Sequence, residues 1–229
     1  MPEKVLLCWS SGKDSAMALY VLRQRRDIEV VALLTTITED YDRVSMHGVR
    51  RVLVEQQARS IGLPLEFVRI TKDASNEDYE EQMRAKLLQF KAEEVRRVAF
   101  GDIFLEDLRK HREENLAQVG MTAMFPIWKR DTRDLAHRLV ASDFKAVITC
   151  VDTQALDGKF AGRAFDESFL AELPPSVDPC GENGEYHSFV YDGPIFATGI
   201  ACKPGEVVLR NGRFCYCDML PASSETAPA

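Results

Sequence analysis

The chain has 229 residues, 45% of them hydrophobic and 28% charged, with a formal net charge of -7. That size suits one compact domain, or one domain with a smaller appendage. The acidic balance argues against capture of nucleic acid by a broad basic face. No run approaches the ~20 apolar residues that span a bilayer, and no signal-peptide pattern follows Met1, so a cytoplasmic protein without membrane contact is expected. The six cysteines (Cys8, Cys150, Cys180, Cys202, Cys215 and Cys217) contain no C-x-x-C pair, which argues against structural zinc and for reduced, packed thiols.

In chain order, residues 4–9 form a short apolar run and 14–26 a helix. Residues 28–36 are apolar almost throughout, as in a strand covered on both faces. A helix over 48–60 ends at Gly62, and a strand follows over 65–70. Tyr79, Met83, Leu87 and Phe90 recur at helical spacing, predicting a long helix over 75–96. Strands over 97–103, 121–128 and 145–151 then alternate with helices over 106–119 and 132–142. Such alternation predicts an α/β fold, a doubly wound and mostly parallel sheet, over residues 1–155. After Asp152 it stops. A helix over 165–173 precedes Pro174-Pro175, and Asn211-Gly212 between two apolar runs signals a type I′ hairpin. A small C-terminal α+β appendage is therefore expected over 156–220, with a mobile tail over 221–229.

Ligands of such sheets bind beyond the carboxyl ends of the strands. Those positions are 10–15, 35–38, Asp102 and Asp152. The first is Ser10-Ser11-Gly12-Lys13-Asp14-Ser15, a tight loop between strand and helix. Its backbone N–H groups and helix dipole favour an oxyanion. Ser10, Ser11 and Ser15 add hydroxyl donors, Gly12 allows close approach, and Lys13 supplies a point charge. Asp14 either holds Mg²⁺ or caps the helix. A Walker loop is excluded because Leu7 occupies the place of its first glycine, and a dinucleotide fingerprint because Gly12 stands alone.

This loop resembles the S-G-G-x-D-S PP-loop of the N-type ATP pyrophosphatases, with Ser11 where the first glycine usually lies. Three further stretches narrow the resemblance. They are Ser45-Met46-His47-Gly48; Phe100-Gly101-Asp102-Ile103 with Arg109, Arg112 and Glu113; and Gly181-Glu182-Asn183-Gly184-Glu185-Tyr186-His187-Ser188-Phe189 followed by Asp192-Gly193-Pro194-Ile195-Phe196. Together these are similar to the diphthine–ammonia ligase family and its E-G-G-E-[YF]-x-[ST] and D-G-P-[IL]-[FY] patterns. Asn183 replaces a glycine of that pattern, and the chain resembles the short prokaryotic members.

The resemblance implies an adenine nucleotide alpha-hydrolase-like (HUP) fold and an ATP-dependent ligase. A carboxylate is adenylated, pyrophosphate leaves, and ammonia forms the amide. It implies ATP and Mg²⁺ as cofactors, with ATP and ammonia as substrates. The carboxylate acceptor is a modified histidine on an elongation factor or an unidentified small molecule. A homodimer is a further expectation. Two other functions share the sheet: a non-catalytic adenine-nucleotide sensor and a tRNA-modifying PP-loop enzyme.

Glu182 and Glu185, on a turn flanked by Gly181 and Gly184, are candidates to orient ammonia, take its proton or bind metal. Asp14 and Asp102 join them as candidate catalytic acids. His47 joins Ser10, Ser11, Gly12, Lys13 and Ser15 as a candidate nucleotide contact, or else caps a helix. Arg109, Arg112 and Gly184 are candidate substrate contacts. The two arginines otherwise form solvated ion pairs with Glu106 and Glu113.

Overall fold

The computed structural model describes residues 1–222. Five strands lie parallel: β1 (Glu3–Cys8), β2 (Ile28–Thr38), β4 (Leu65–Ile70), β5 (Arg97–Ala99) and β6 (Thr122–Met124). A short β3 (Arg43–Val44) pairs antiparallel with the end of β2. Across the sheet the parallel strands run β4, β2, β1, β5, β6. The chain winds outward from β1 to β4, then restarts on the other side at β5. The order therefore reverses between β1 and β5, the crevice where open α/β sheets take ligands.

Both faces of this sheet are covered. In β1, Val5 and Leu7 pack on one side with residues of α1 (Lys13–Arg23) and α2 (Arg51–Ile61). Leu6 packs on the other with Leu87 and Phe90 of α3 (Asn76–Ala92) and Leu116 of α4 (Glu106–Gln118). A strand alternates its side chains between faces, so burial on both produces the continuous apolar runs of β1 and β2. The expected long third helix stops at Ala92, just before Glu94 turns left-handed at φ 66°.

The strand expected over 145–151 does not extend the parallel sheet. As β7 (Lys145–Asp152) it lies inside a second, antiparallel sheet ordered β8 (Tyr186–Asp192), β7, β10 (Phe214–Pro221), β9 (Cys202–Arg210). Seven of its eight residues are buried, and a fully covered strand carries the same apolar run in either kind of sheet. Sheet membership thus changes between β6 and β7, ahead of the expected boundary at residue 155. Asp152, expected at a carboxyl end of the parallel sheet, instead pairs with Arg213 at 2.6 Å in this second sheet.

The β9–β10 hairpin turns through Asn211 and Gly212, both at positive φ (53° and 62°), as a type I′ turn requires. α5 (Thr132–Ala141) and a short α6 (Glu167–Glu172) complete the chain. One apolar cluster runs through α1, α2, α5 and the second sheet, joining Leu7 and Leu19 to Val147 and Phe189. All six cysteines are free thiols. Among the described residues no helix is long and apolar enough to cross a membrane. The tail expected over 221–229 begins within β10, and residues 223–229 lie outside the described residues.

Candidate active site

The loop 10–15 sits at the reversal point, between β1 and α1. Its shape is set by contacts from both sheets. Ser11 is fully buried at φ 69°, so a serine takes the left-handed turn usually given to glycine. Its carbonyl oxygen accepts N–H groups from Val190 of β8 (3.0 Å) and from the Gln57 amide (3.1 Å). The Ser11 hydroxyl is buried without a partner. Behind the loop, a Cβ on Gly101 would lie 2.8 Å from the Asp14 carbonyl carbon. Glycine there lets the end of β5 touch the first turn of α1.

Gly12 is the N-cap of α1, and no side chain caps it. Asp14 therefore does not cap the helix. Its carboxylate accepts two hydrogen bonds from the Lys13 ammonium, at 2.8 and 3.1 Å. Lys13 is only 3% exposed and lies 5.2 Å above the Tyr186 ring. Burial opposes its charge, but Asp14, with smaller contributions from Cys180 and Glu182, outweighs burial and raises its pKa. Asp14 is itself pushed up by burial, relieved by Lys13 and aggravated by Asp178 and Asp102. Ser10 and Ser15 face each other at 3.2 Å, and Ser15 also donates to the Gly12 carbonyl oxygen. The Lys13 N–H donates to the Ser188 hydroxyl oxygen at 3.2 Å. The N–H groups of Asp14 and Ser15, in the helix's first turn, have no intrahelical acceptor.

The turn 181–185 lies against the same crevice. Glu182 accepts the N–H groups of Ile103 (2.6 Å) and Phe104 (3.3 Å), just beyond β5. Burial, only partly offset by the Ile103 hydrogen bond, pushes its pKa up to about 7. Glu185 is 5% exposed. One of its oxygens accepts from Asp178 N–H and from Asn183, each at 3.0 Å, while the other is buried without a partner. Asn183, the departure from the family pattern, thus tethers Glu185. Asp178 organises the turn by accepting N–H groups from Cys180 and Glu182 and the Thr132 hydroxyl. Gly181 and Gly184 both adopt positive φ.

His47 is no helix cap either, since Arg50 occupies the N-cap position of α2. Its Nδ1 lies 3.3 Å from the Ser188 carbonyl oxygen, and its ring packs on His187 at 4.6 Å, tilted by 37°. Burial depresses both imidazoles, His187 to about 4. Asp102 pairs with Arg112 (2.7 Å), whose guanidinium covers the Phe100 ring at 4.3 Å. Arg109 pairs with Glu113 and lies over Phe125 and Trp128, while Glu106 pairs with Lys129. The structure therefore brings His47 and Glu182 to the loop 10–15, while Glu185 is buried within the turn 181–185. Asp102, near enough to add to the Asp14 shift, is held by Arg112, whereas Arg109 packs on Phe125 and Trp128.

Sequence reasoning passed over Gln57, Asp178 and Ser188. Gln57 is fully buried on α2, within the stripe Leu53, Val54, Ala58 and Ile61. It accepts the Trp9 indole N–H and donates to Ser11 and Val190 carbonyl oxygens. A lone amide inside an apolar helical stripe was its one legible signal. Ser188 lay inside a motif read for its acids, and Asp178 had no local signal.

Residues 3–123 match the model of the diphthamide synthase N-terminal domain, and residues 131–219 that of its C-terminal domain. A diphthine–ammonia ligase of Mus musculus is 31% identical over 156 residues, covering 66% of this chain and 58% of that protein. The enzyme of that name from Schizosaccharomyces pombe is 27% identical over 234 residues, 93% of this chain but 38% of its own length. The chain thus spans little more than half, or less, of these curated relatives. A predicted subunit of tRNA methyltransferase from Methanocaldococcus jannaschii superposes with a TM-score of 0.40 at 17% identity, over 62% of this chain and 75% of that one, too weak an overlap to carry any argument. With both halves of the crevice falling within matched regions, this chain belongs to the diphthamide synthase family.

Proposed function

We propose that the chain is an ATP-dependent amide-forming ligase that releases AMP and pyrophosphate. The observation carrying this reading is the meeting of two motifs distant in sequence: Lys13-Asp14 on α1, and Glu182 fastened to the N–H groups after β5. The relatives' name, diphthine–ammonia ligase, supplies the reaction class. A carboxylate oxygen attacks the α-phosphorus of ATP, pyrophosphate departs, and an acyl-adenylate forms. Ammonia then attacks the acyl carbon, AMP leaves, and a proton is released with the amide.

The residues fit these steps. The loop's N–H groups and hydroxyls suit phosphate oxygens, and Lys13 supplies a buried positive charge. Asp14 fits Mg²⁺, which commonly takes one or two carboxylates together with nucleotide phosphates. Burial raises the pKa of Asp14 and of Glu182, and neighbouring acids add to both shifts, so a cation bound there would favour the charged carboxylates. Mg²⁺ bound there would neutralise phosphate charge as pyrophosphate leaves. Glu182, with a pKa near neutrality, suits the role of accepting the proton of attacking ammonia. Glu185 holds the turn that presents it, and Arg112 holds Asp102. We take diphthine on an elongation factor as the acceptor, following the relatives' name.

The test is to incubate the protein with ATP, Mg²⁺, ammonium and elongation factor carrying diphthine, following AMP, pyrophosphate and amide. Lys13→Ala and Asp14→Ala are expected to abolish pyrophosphate release. ADP and phosphate as products would refute adenylation. Tight ATP binding without turnover would leave a nucleotide sensor.

A further inference from the structure

Beside the crevice lies an open groove of about 550 Å³, between the chain from Thr38 to Gly48 and the β9–β10 hairpin. Tyr41, Arg43 and Met46 line one wall, and Val208, Arg210 and Tyr216 the other. This volume falls in the range of ligand sites. The groove joins the crevice through the second sheet. Val208 pairs with Tyr216, Tyr216 with Cys150, and Cys150 with His187. Directly paired residues share a sheet face, so these four form one row across four strands. The turn 45–48 lies along that row. At one end a Cβ on Gly48 would come within 2.9 Å of the Tyr216 ring. At the other, His47 packs on His187, and a Cβ on Gly12 would lie 3.0 Å from the His47 ring. Met46, Ser45 and Gly48 face the groove while His47 faces the loop 10–15, so this turn is the wall the two spaces share.

Three features describe the occupant. First, Tyr41 is 60% and Met46 64% exposed, and Met46 holds this position at φ 64°. A bulky residue kept left-handed and in water is a costly placement with no packing return. Second, the groove presents one arginine that makes no ion pair among the described residues. Arg43 and Arg50 share the one carboxylate of Asp218, at 2.7 and 2.6 Å. The lining holds two arginines, Arg43 and Arg210, and two acids, Glu206 and Asp218, and among the described residues it is Arg210 that makes no ion pair. Third, β9 forms the far wall and is an edge strand, with Val207 and Leu209 exposed on its other face. An edge strand offers unpaired backbone groups to an extended chain.

We infer that this groove docks the polypeptide segment of the acceptor, with its carboxylate-bearing side chain directed past the turn 45–48 toward the loop 10–15. The inference rests on the ligase reading above. The apolar side chains contact the segment, Arg210 is open to a further acidic side chain of it, and the β9 edge accommodates its backbone.

The test compares Tyr41→Ala and Arg210→Glu, two surface changes outside the crevice, with wild-type enzyme. Each is assayed with elongation factor carrying diphthine as acceptor. The KM for the factor is expected to rise about tenfold or more, with kcat and the KM for ATP unchanged. An unchanged KM for the factor, in an enzyme that does form the amide, overturns the groove and leaves the ligase reading intact. A rise in the KM for ATP alone overturns it too, and assigns the groove to the nucleotide. A wild-type enzyme that forms no amide on the factor overturns both.

Discussion

Glu182 Oε1 accepts the Ile103 N–H at 2.6 Å, fastening a turn of the C-terminal half to the end of β5. This contact spans 79 positions and brings a carboxylate to the same crevice as Lys13. Burial raises its pKa from 4.5 to about 7. Glu182→Gln keeps an oxygen for Ile103 while removing the titration. Amide formation is expected to fall about 10²–10⁴-fold, with the wild-type decline below pH about 7 absent from the variant. The pH profile of kcat/KM for ammonia checks this.

The same shift has a stability consequence. The folded state holds the Glu182 proton more tightly than the unfolded chain. Its contribution is therefore fully present below pH about 4.5 and lost as pH rises through about 7. Unliganded wild-type protein should lose stability relative to Glu182→Gln between pH 5 and 8. Paired melting curves at the two pH values read the difference, and parallel behaviour would contradict it.

His187 runs the other way. Burial, and then the charge of Lys13, lower its pKa to about 4. Folding thus favours the neutral imidazole, and stability present above pH 6.5 is lost as pH falls toward 4. NMR titration should find the His187 ring neutral at pH 5.5, and His187→Asn should lessen the acid loss of stability.

Ser11 carries two local costs, a left-handed backbone and a buried hydroxyl without a partner. Ser11→Gly should stabilise the unliganded protein by roughly 1 kcal/mol, about 2–4 °C in Tm for a chain of this size. If that hydroxyl meets phosphate in the nucleotide complex, the KM for ATP should rise in the same variant. Calorimetry and steady-state kinetics report the two effects separately.

Gln57 joins Trp9, Ser11 and Val190 with both ends of its amide. Gln57→Leu leaves three buried polar groups without this partner and is expected to cost about 2–4 kcal/mol. Chemical denaturation measures the loss. Pyrophosphate release should fall as well, because Ser11 loses one of the two bonds holding its carbonyl.

The amino-acid sequence by itself determined the α/β alternation, the loop 10–15 after β1, the type I′ turn at Asn211-Gly212 and the Glu182–Glu185 turn. Each rests on local physics: apolar periodicity, the φ demanded at single positions, and a strand running directly into a helix. Only the tertiary structure decided that β7 belongs to the second sheet, because a strand buried on both faces reads alike in either. It alone decided the partners of the charges as well. Arg112 chose Asp102 while Arg109 took Glu113, and Asp14 took Lys13 rather than the helix end. Gln57 and Ser188 act through partners 46 to 175 positions away, and Asp178 joins its own turn to Thr132, 46 positions back. No local pattern encodes such pairings, since they exist only once two sheets have packed around one crevice.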